Sequence, residues 1–176
     1  MGAALCSSSA DRPAAAIMSG SASTTTYVSA AAKATATDAS ASSSLLASTL
    51  LTTLDAGTAV TLQANNDITL STALTVNNAG GNGGALTLQA GRSILLNANI
   101  TTDNGNLTLI ANDKLANGVV NANRDAGSAA ITMASSTTIN AGSGNVDIQL
   151  RDGAGLTNNT AGTITLASLN ATGLTV

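Results

Sequence analysis

The chain has 176 residues, enough for one domain or a short repeat array, and its net charge of −3 comes from nine Asp set against six Lys and Arg. Those six cations stand singly, so the clustered positive charge that grips phosphate is missing and nucleic acid is not an expected partner. There is no Glu, His, Phe or Trp and one Cys, which excludes an internal disulfide framework and a cysteine zinc cluster and leaves any core to Val, Ile, Leu and Ala.

Residues 1–43 are rich in Ala, Ser and Thr and carry few large apolar groups. Such a stretch buries too little surface to offset its chain entropy, and it reads as a low-complexity, weakly ordered leader. TTTYV (24–28) is its one strand-like segment. The start, MGAALCSSSADRPAAAIM, has neither the cationic leader nor the sustained apolar stretch of a secretory signal, and the segment before Cys6 is too short for a lipoprotein signal. No stretch of about 18 apolar residues occurs, so no transmembrane segment is expected.

SLLASTLLTTLDAG (44–57) changes character. Leu46, Leu50 and Leu54 recur at the spacing of one helical face, which predicts a short amphipathic helix at about 48–55. Ser48 is the expected N-cap and Gly57 the left-handed residue after the last turn.

From Gly57 onward the period becomes two. The phrases Val60-Thr61-Leu62, Leu86-Thr87-Leu88, Leu107-Thr108-Leu109, Ile131-Thr132-Met133 and Ile164-Thr165-Leu166 recur, with Val146-Asp147-Ile148 as a variant. Alternation of this kind puts the apolar residues on one face of a strand and Thr on the other. A second apolar residue follows eight positions on, in the pairs Val60/Ile68, Leu86/Ile94, Leu107/Leu115 and Ile131/Ile139, and a third follows at Leu74 and Ile100. Small residues at Ala64, Ala90, Ala111, Ser135 and Ser168 suit an inside corner, with Leu150 as the exception. The connections NNAGGNGG, TDNGN and NANRDAGS supply turn residues in variable lengths. A strand–corner–strand unit with variable loops describes an all-β solenoid of about five to six coils spanning residues 44–176. A β-sandwich also has short alternating strands, but nothing in it requires the recurrent offset, and it usually carries core aromatics.

In TLLTTLDAGTAVTLQANNDITL, GGALTLQAGRSILLNANITTDNGNLTLIAND and AGSGNVDIQLRDGAGLTNNTAGTITLASLN, the chain resembles the filamentous haemagglutinin-like exoproteins of Gram-negative two-partner secretion. The likeness covers residues 44–176 and is one of repeat style, without a catalytic signature. It implies a right-handed parallel β-helix, part of a large secreted or surface-displayed fibre. It also implies an outer-membrane two-partner secretion transporter as partner of the parent protein, with glycans or proteins on host or bacterial surfaces as adhesion targets. The family's Asn-Pro-Asn-Gly type motif and long export signal are not found, so an interior or carboxy-terminal piece, or the product of a truncated reading frame, is expected.

Chemistry is sparse in the sequence. Polysaccharide-cleaving β-helices gather carboxylates on neighbouring coils, and glycosidic cleavage needs them paired. Asp67, Asp103, Asp113 and Asp147 fall at different points of their coils, with Asp67 just before a second strand, Asp103 in the loop after a third and Asp147 within a first strand, so no column of acids is expected. Asn65-Asn66-Asp67 and Asp103-Asn104-Gly105-Asn106 lack the nine-residue calcium repeat, and Gly80-Gly81-Asn82-Gly83-Gly84 has its glycines without its Asp. No catalytic residue, metal ligand or cofactor is therefore assigned. Thr61, Thr87, Thr108, Thr132 and Thr165 are expected to form one outward column interrupted by Asp147, but ice-binding surfaces need two such columns, and only Thr163-Ile164-Thr165 has the pair. The sequence reads first as a non-enzymatic structural or adhesive segment. Carbohydrate-binding or cleaving and ice-binding solenoids are the alternatives, and recognition would use flat Thr/Asn/Gln surfaces or the loops at 77–84 and 121–128.

Overall fold

A computed structural model describes residues 15–19 and 42–176. Cys6 and the 24–28 stretch lie outside the described residues. Fifteen strands and one helix follow in chain order, with two short 3-10 turns in one loop. They are β1 (Ala15–Ser19), β2 (Ser42–Leu46), α1 (Ala47–Leu54), β3 (Val60–Ala64), β4 (Ile68–Leu70), β5 (Leu74–Thr75), β6 (Leu86–Ala90), β7 (Ile94–Leu96) and β8 (Ile100–Thr101). Then come β9 (Leu107–Ala111), β10 (Ala129–Met133), β11 (Thr138–Asn140), β12 (Asn145–Leu150), β13 (Ala161–Thr165), β14 (Ser168–Asn170) and β15 (Gly173–Thr175).

The strands sort into three parallel sheets. The first has the order β15-β12-β9-β6-β3, the second β13-β10-β7-β4-β1-β2 and the third β14-β11-β8-β5. From β3 onward, consecutive strands enter the first, second and third sheets in turn, and every third strand returns to pair with its counterpart. Val60 stands over Leu86, Leu86 over Leu107, and Leu107 over Val146. The same stacking runs through Ile68, Ile94, Ile131 and Ile164 in the second sheet, and through Leu74, Ile100, Ile139 and Leu169 in the third. The alternation seen in the sequence is the burial alternation of the strands: the apolar members of β3, β6 and β9 face a continuous aliphatic core, and the Thr between them do not.

Pairing corrects the expected repeat starts. Ile131 and Ile164 do not begin rounds, because they stack on Ile94 in the second sheet. The rounds begin at Val60, Leu86, Leu107 and Val146, with Leu174 opening another. The cause is a longer connection from the first to the second sheet in the third and fourth rounds, at 112–128 between β9 and β10 and at 151–160 between β12 and β13. Leu115, expected to start a second strand, instead lies in a 3-10 turn (Leu115–Asn117) and is 46% exposed. The corner column is accordingly Ala64, Ala90, Ala111 and Leu150, and Ser135 and Ser168 are not in it.

The helix forms where the spacing predicts it and buries Ala47, Leu50 and Leu54. Its N-cap is Leu46, the last residue of β2, and no side chain caps it. Ser48 lies inside the first turn, where its carbonyl accepts a bond from Thr52 Oγ1 at 3.0 Å. Gly57 does take the left-handed conformation, φ 75°, and its N–H donates to the Leu54 carbonyl at 2.9 Å. α1 packs on β2, β3 and β5, so Leu50 and Leu54 close the core at that end. β1, within the stretch read as leader, pairs with β4 on one side and β2 on the other. Among the described residues no helix is long and apolar enough to cross a membrane.

Leu109 is fully buried in the core, while Thr108 beside it is half-buried on the outward face. Leu109→Asp buries a charge with no partner, and loss of the β circular dichroism signal and of cooperative melting is expected. Thr108→Ser should shift stability by no more than about 0.5 kcal/mol. Unchanged melting of Leu109→Asp would show that this column is not the interior.

Candidate functional site

The structure is least regular at the corner between the first and second sheets. Three turns stack there, at 65–67, 91–93 and 112–113, and the insertion at 112–128 folds back over them. A chain turning a corner leaves backbone groups outside the ladder, and buried groups of that kind need partners. Asn side chains supply several. Asn65 Oδ1 accepts the Val120 N–H at 2.8 Å, while Asn66 Oδ1 accepts the Asp125 N–H at 2.6 Å and its Nδ2 donates to the Asn123 carbonyl at 2.9 Å. Asn112, at φ 51°, donates through Nδ2 to the carbonyls of Arg151 and Asn159 at 2.8 and 2.9 Å. All three Asn are buried.

Arg124 sits inside this lattice at 2% exposure. Its Nε donates to the Gly91 carbonyl at 2.7 Å, Nη1 to the Asp125 carbonyl, and Nη2 at 3.4 Å to both Asn112 Oδ1 and the Gly127 carbonyl. Burial pushes the Arg124 guanidinium down from its ordinary value, and nearby Arg92 adds to that, while Asp67 and Asp125 oppose it. Carbonyl dipoles thus do much of the work a carboxylate partner would do. Gly91 is required at its position, since an added Cβ would lie 2.0 Å from the Asn65 carbonyl oxygen and 2.9 Å from a Val119 methyl.

Two ion pairs flank the corner. Arg92 holds Asp67 with both branches of its fork, Nε to Oδ1 at 2.8 Å and Nη2 to Oδ2 at 2.6 Å, and Asp67 Oδ1 also accepts the Ser93 N–H. The bond to Asp67 holds the Arg92 guanidinium above its usual value, against the effect of burial. On the other flank, Arg151 Nη1 meets the buried Asp113 Oδ1 at 2.8 Å. The same oxygen accepts bonds from Asn117 Nδ2 and the Lys114 N–H. Arg151 also donates through Nε and Nη2 to Gln149 Oε1, and Gln149 Nε2 reaches Asp147 Oδ2 at 2.6 Å. The Asp147 Oδ1 is buried without a hydrogen-bond partner.

The four candidate acids therefore divide. Asp113 and Asp147 join one chain of contacts, with Arg151 and Gln149 between them. Asp67 is held by Arg92, and Asp103 stands at the corner between the third and first sheets, where its Oδ2 accepts the Asn78 N–H at 2.7 Å. Among the described residues no group of three or more His, Cys, Asp or Glu is placed to hold a metal. The expected threonine column also splits. Thr61, Thr87, Thr108, Asp147 and Thr175 stack on the first sheet, whereas Thr132 and Thr165 continue Thr69 and Leu95 on the second. Beside the first column, Gln63 Nε2 donates to Gln89 Oε1. Both candidate loops are pinned: Asn78 Oδ1 accepts the Gly80 N–H in the 77–84 loop, and the 121–128 loop holds Arg124.

Neither Arg124 nor Asn112 stands out in the sequence, and Asn65 and Asn66 stand out only as a calcium-like stretch, not as braces of a corner. The available signal was position, because Asn65-Asn66, Gly91-Arg92 and Asn112-Asp113 each follow the corner alanine directly. Comparison with protein-family models, with curated proteins and with solved structures finds no match.

Arg124→Ala removes donors from several buried oxygens, and a loss of roughly 3 kcal/mol in thermal or urea unfolding is expected. Arg92→Ala breaks a half-exposed pair and should cost about 1 kcal/mol. Arg124→Lys should not rescue, because an ammonium cannot reproduce the fork. Equal losses for Arg92→Ala and Arg124→Ala would remove Arg124 from its central place.

Proposed function

We propose that the chain is a non-enzymatic structural and adhesive segment of a larger secreted or surface-displayed exoprotein of the filamentous haemagglutinin type. In this reading the three parallel sheets wind as a right-handed β-helix of four complete rounds. The parent protein is exported through an outer-membrane two-partner secretion transporter. The observation that carries the reading is the register: VTLQA, LTLQA, LTLIA and VDIQL lie directly over one another in the first sheet. What repeats is a set of self-compatible columns, which makes a rigid rod, and the titratable groups within reach serve its joints. Asp55 and Asp103 accept backbone N–H groups of the 77–84 loop, Asp67 grips Arg92, and Asp113 grips Arg151. Adhesion by such a rod uses its flat Thr/Gln face and the braced loops, with glycans or proteins of host or bacterial surfaces as targets.

Beads coated with the purified chain are expected to be retained on epithelial cells or on a Gram-negative biofilm several-fold better than beads coated with unfolded Leu109→Asp. Equal retention of the two would sink the adhesive reading. Release of reducing ends from an acidic polysaccharide by the pure chain would sink the non-enzymatic one.

A further inference from the structure

The second sheet reaches past the other two at the end where α1 lies. The first sheet stops at β3 and the third at β5, but the second continues beyond β4 through β1 to β2. The order of those two strands is out of step with the chain. Ser42 precedes Ile68 by as many positions as Ile68 precedes Ile94, its partner one round on, and Ala15 precedes Ser42 by one position more. Sequence spacing therefore makes β2 the neighbour of β4, with β1 outside it. In the structure β1 stands between them. Ala16 pairs with Ile68 on one side and with Ser43 on the other, and all three strands run parallel. Among the described residues every other ladder joins neighbouring rounds, and β1 on β4 skips one.

The thickness of α1 accounts for the skip. β2 runs into α1 without a break, since Leu46 ends the one and Ala47 begins the other. In chain order α1 takes the place that β5 and β8 hold in the next two rounds, between a strand of the second sheet and one of the first. A strand in that place adds ~4.8 Å to the stack, whereas a helix with its side chains adds about 10 Å. Two strand spacings come to the same height. β2, joined to the helix, is thereby held two spacings from β4, and the space between them takes one strand. The helix is fixed at that height by its own contacts. Leu50 and Leu54 are buried, and the Leu54 carbonyl accepts the Gly84 N–H at 2.8 Å. Just past the helix, Asp55 Oδ1 accepts the Asn77 N–H at 2.8 Å, and the Asp55 carbonyl accepts a bond from Asn78 Nδ2 at 2.6 Å. None of these bonds involves β1, so the space persists when β1 leaves it.

We infer that the gap between β2 and β4 is a strand-acceptor site, and that β1 fills it as a separable ligand and not as a wound part of the stack. Recognition is by main-chain ladders on both edges. It selects an extended segment that runs parallel to β4 and has no proline within the paired stretch, and the AAIMS of β1 is such a segment. The inference rests on sheet order alone and is independent of the adhesive reading.

Ile17→Pro in the full chain removes a ladder bond from β1 and should empty the site. Fluorescence anisotropy should then show that this variant takes up one labelled peptide of residues 12–21 per chain. The wild-type chain should bind the same peptide at least about tenfold more weakly, because its own β1 is held beside the site at high effective concentration. The peptide carrying Ile17→Pro should bind neither chain. No uptake by a variant with native β circular dichroism overturns the inference, because β2 has then closed on β4. Equal uptake of the two peptides overturns it too, and so does loss of cooperative melting in the variant, which would make β1 a core strand. In a Cys6→Ser background, mild oxidation should join Ile17→Cys to Thr69→Cys and leave Ser44→Cys and Thr69→Cys apart. Adjacent strands lie within the ~7 Å that a disulfide spans, and strands two spacings apart do not. The reverse result would place β2 directly on β4 and remove the site.

Discussion

The parallel hydrogen-bond ladder is the constraint from which the rest of this structure follows. It sets each residue of one round directly over its counterpart in the next, about 4.8 Å away. A side chain must therefore suit a near-copy of its own position above and below it. Aliphatic columns meet that condition, and Val60, Leu86, Leu107 and Val146 form one. Alanine meets it at an inside corner, where Ala64, Ala90 and Ala111 are completely buried. Like charges do not, since each would face its own sign at contact distance. The low charge content, 9%, is what a stacked chain needs as much as it is a mark of its composition. Where an acid does enter a column, at Asp147 over Thr108, Gln149 and Arg151 gather beside it.

The same constraint decides where irregularity is tolerated. An insertion inside a strand would break the register of every round after it. An insertion at a corner leaves the ladder free to resume. The 112–128 segment leaves just after Ala111, and β10 resumes pairing on β7 as if nothing had intervened. Its cost is a set of buried polar groups beside the corner, and these are met locally by Asn65, Asn66, Asn112 and Arg124. A guanidinium suits this place because its planar fork reaches separate oxygens at once. The brace ties turns of three rounds to one loop.

How much of this was legible follows from what a period can report. Alternation marked the strands of the first sheet from β3 to β12, because burial alternates with the same period. It could not say which sheet a strand joins. Ile131 has the same flanking pattern as Leu107, yet its partner is Ile94 in the second sheet. Leu115 satisfied an apolar spacing by coincidence, and a 3-10 turn occupies its place. Ser48 fitted the N-cap preference, but β2 runs straight into α1 and no side-chain cap is used. Arg124 was invisible for a different reason: its role depends on Gly91 and Asn112, which local pattern does not join to it. Local rules recovered the columns, and only pairing could recover the corner.

Stacking also bears on where chemistry can arise in such a fold. Reactions need unlike groups side by side, an acid with a base or a cation with a polarised oxygen. A column of self-compatible residues does not provide them, however many rounds are added. Unlike groups meet only between columns or where the repeat is interrupted. In this chain both conditions hold at one place, the corner where Asp113, Arg151, Gln149 and Asp147 form a single run of contacts under the insertion. The repeated LTLQA-type phrase is the wall of the stack. What sets this chain apart from a uniform stack of strands is concentrated at that corner.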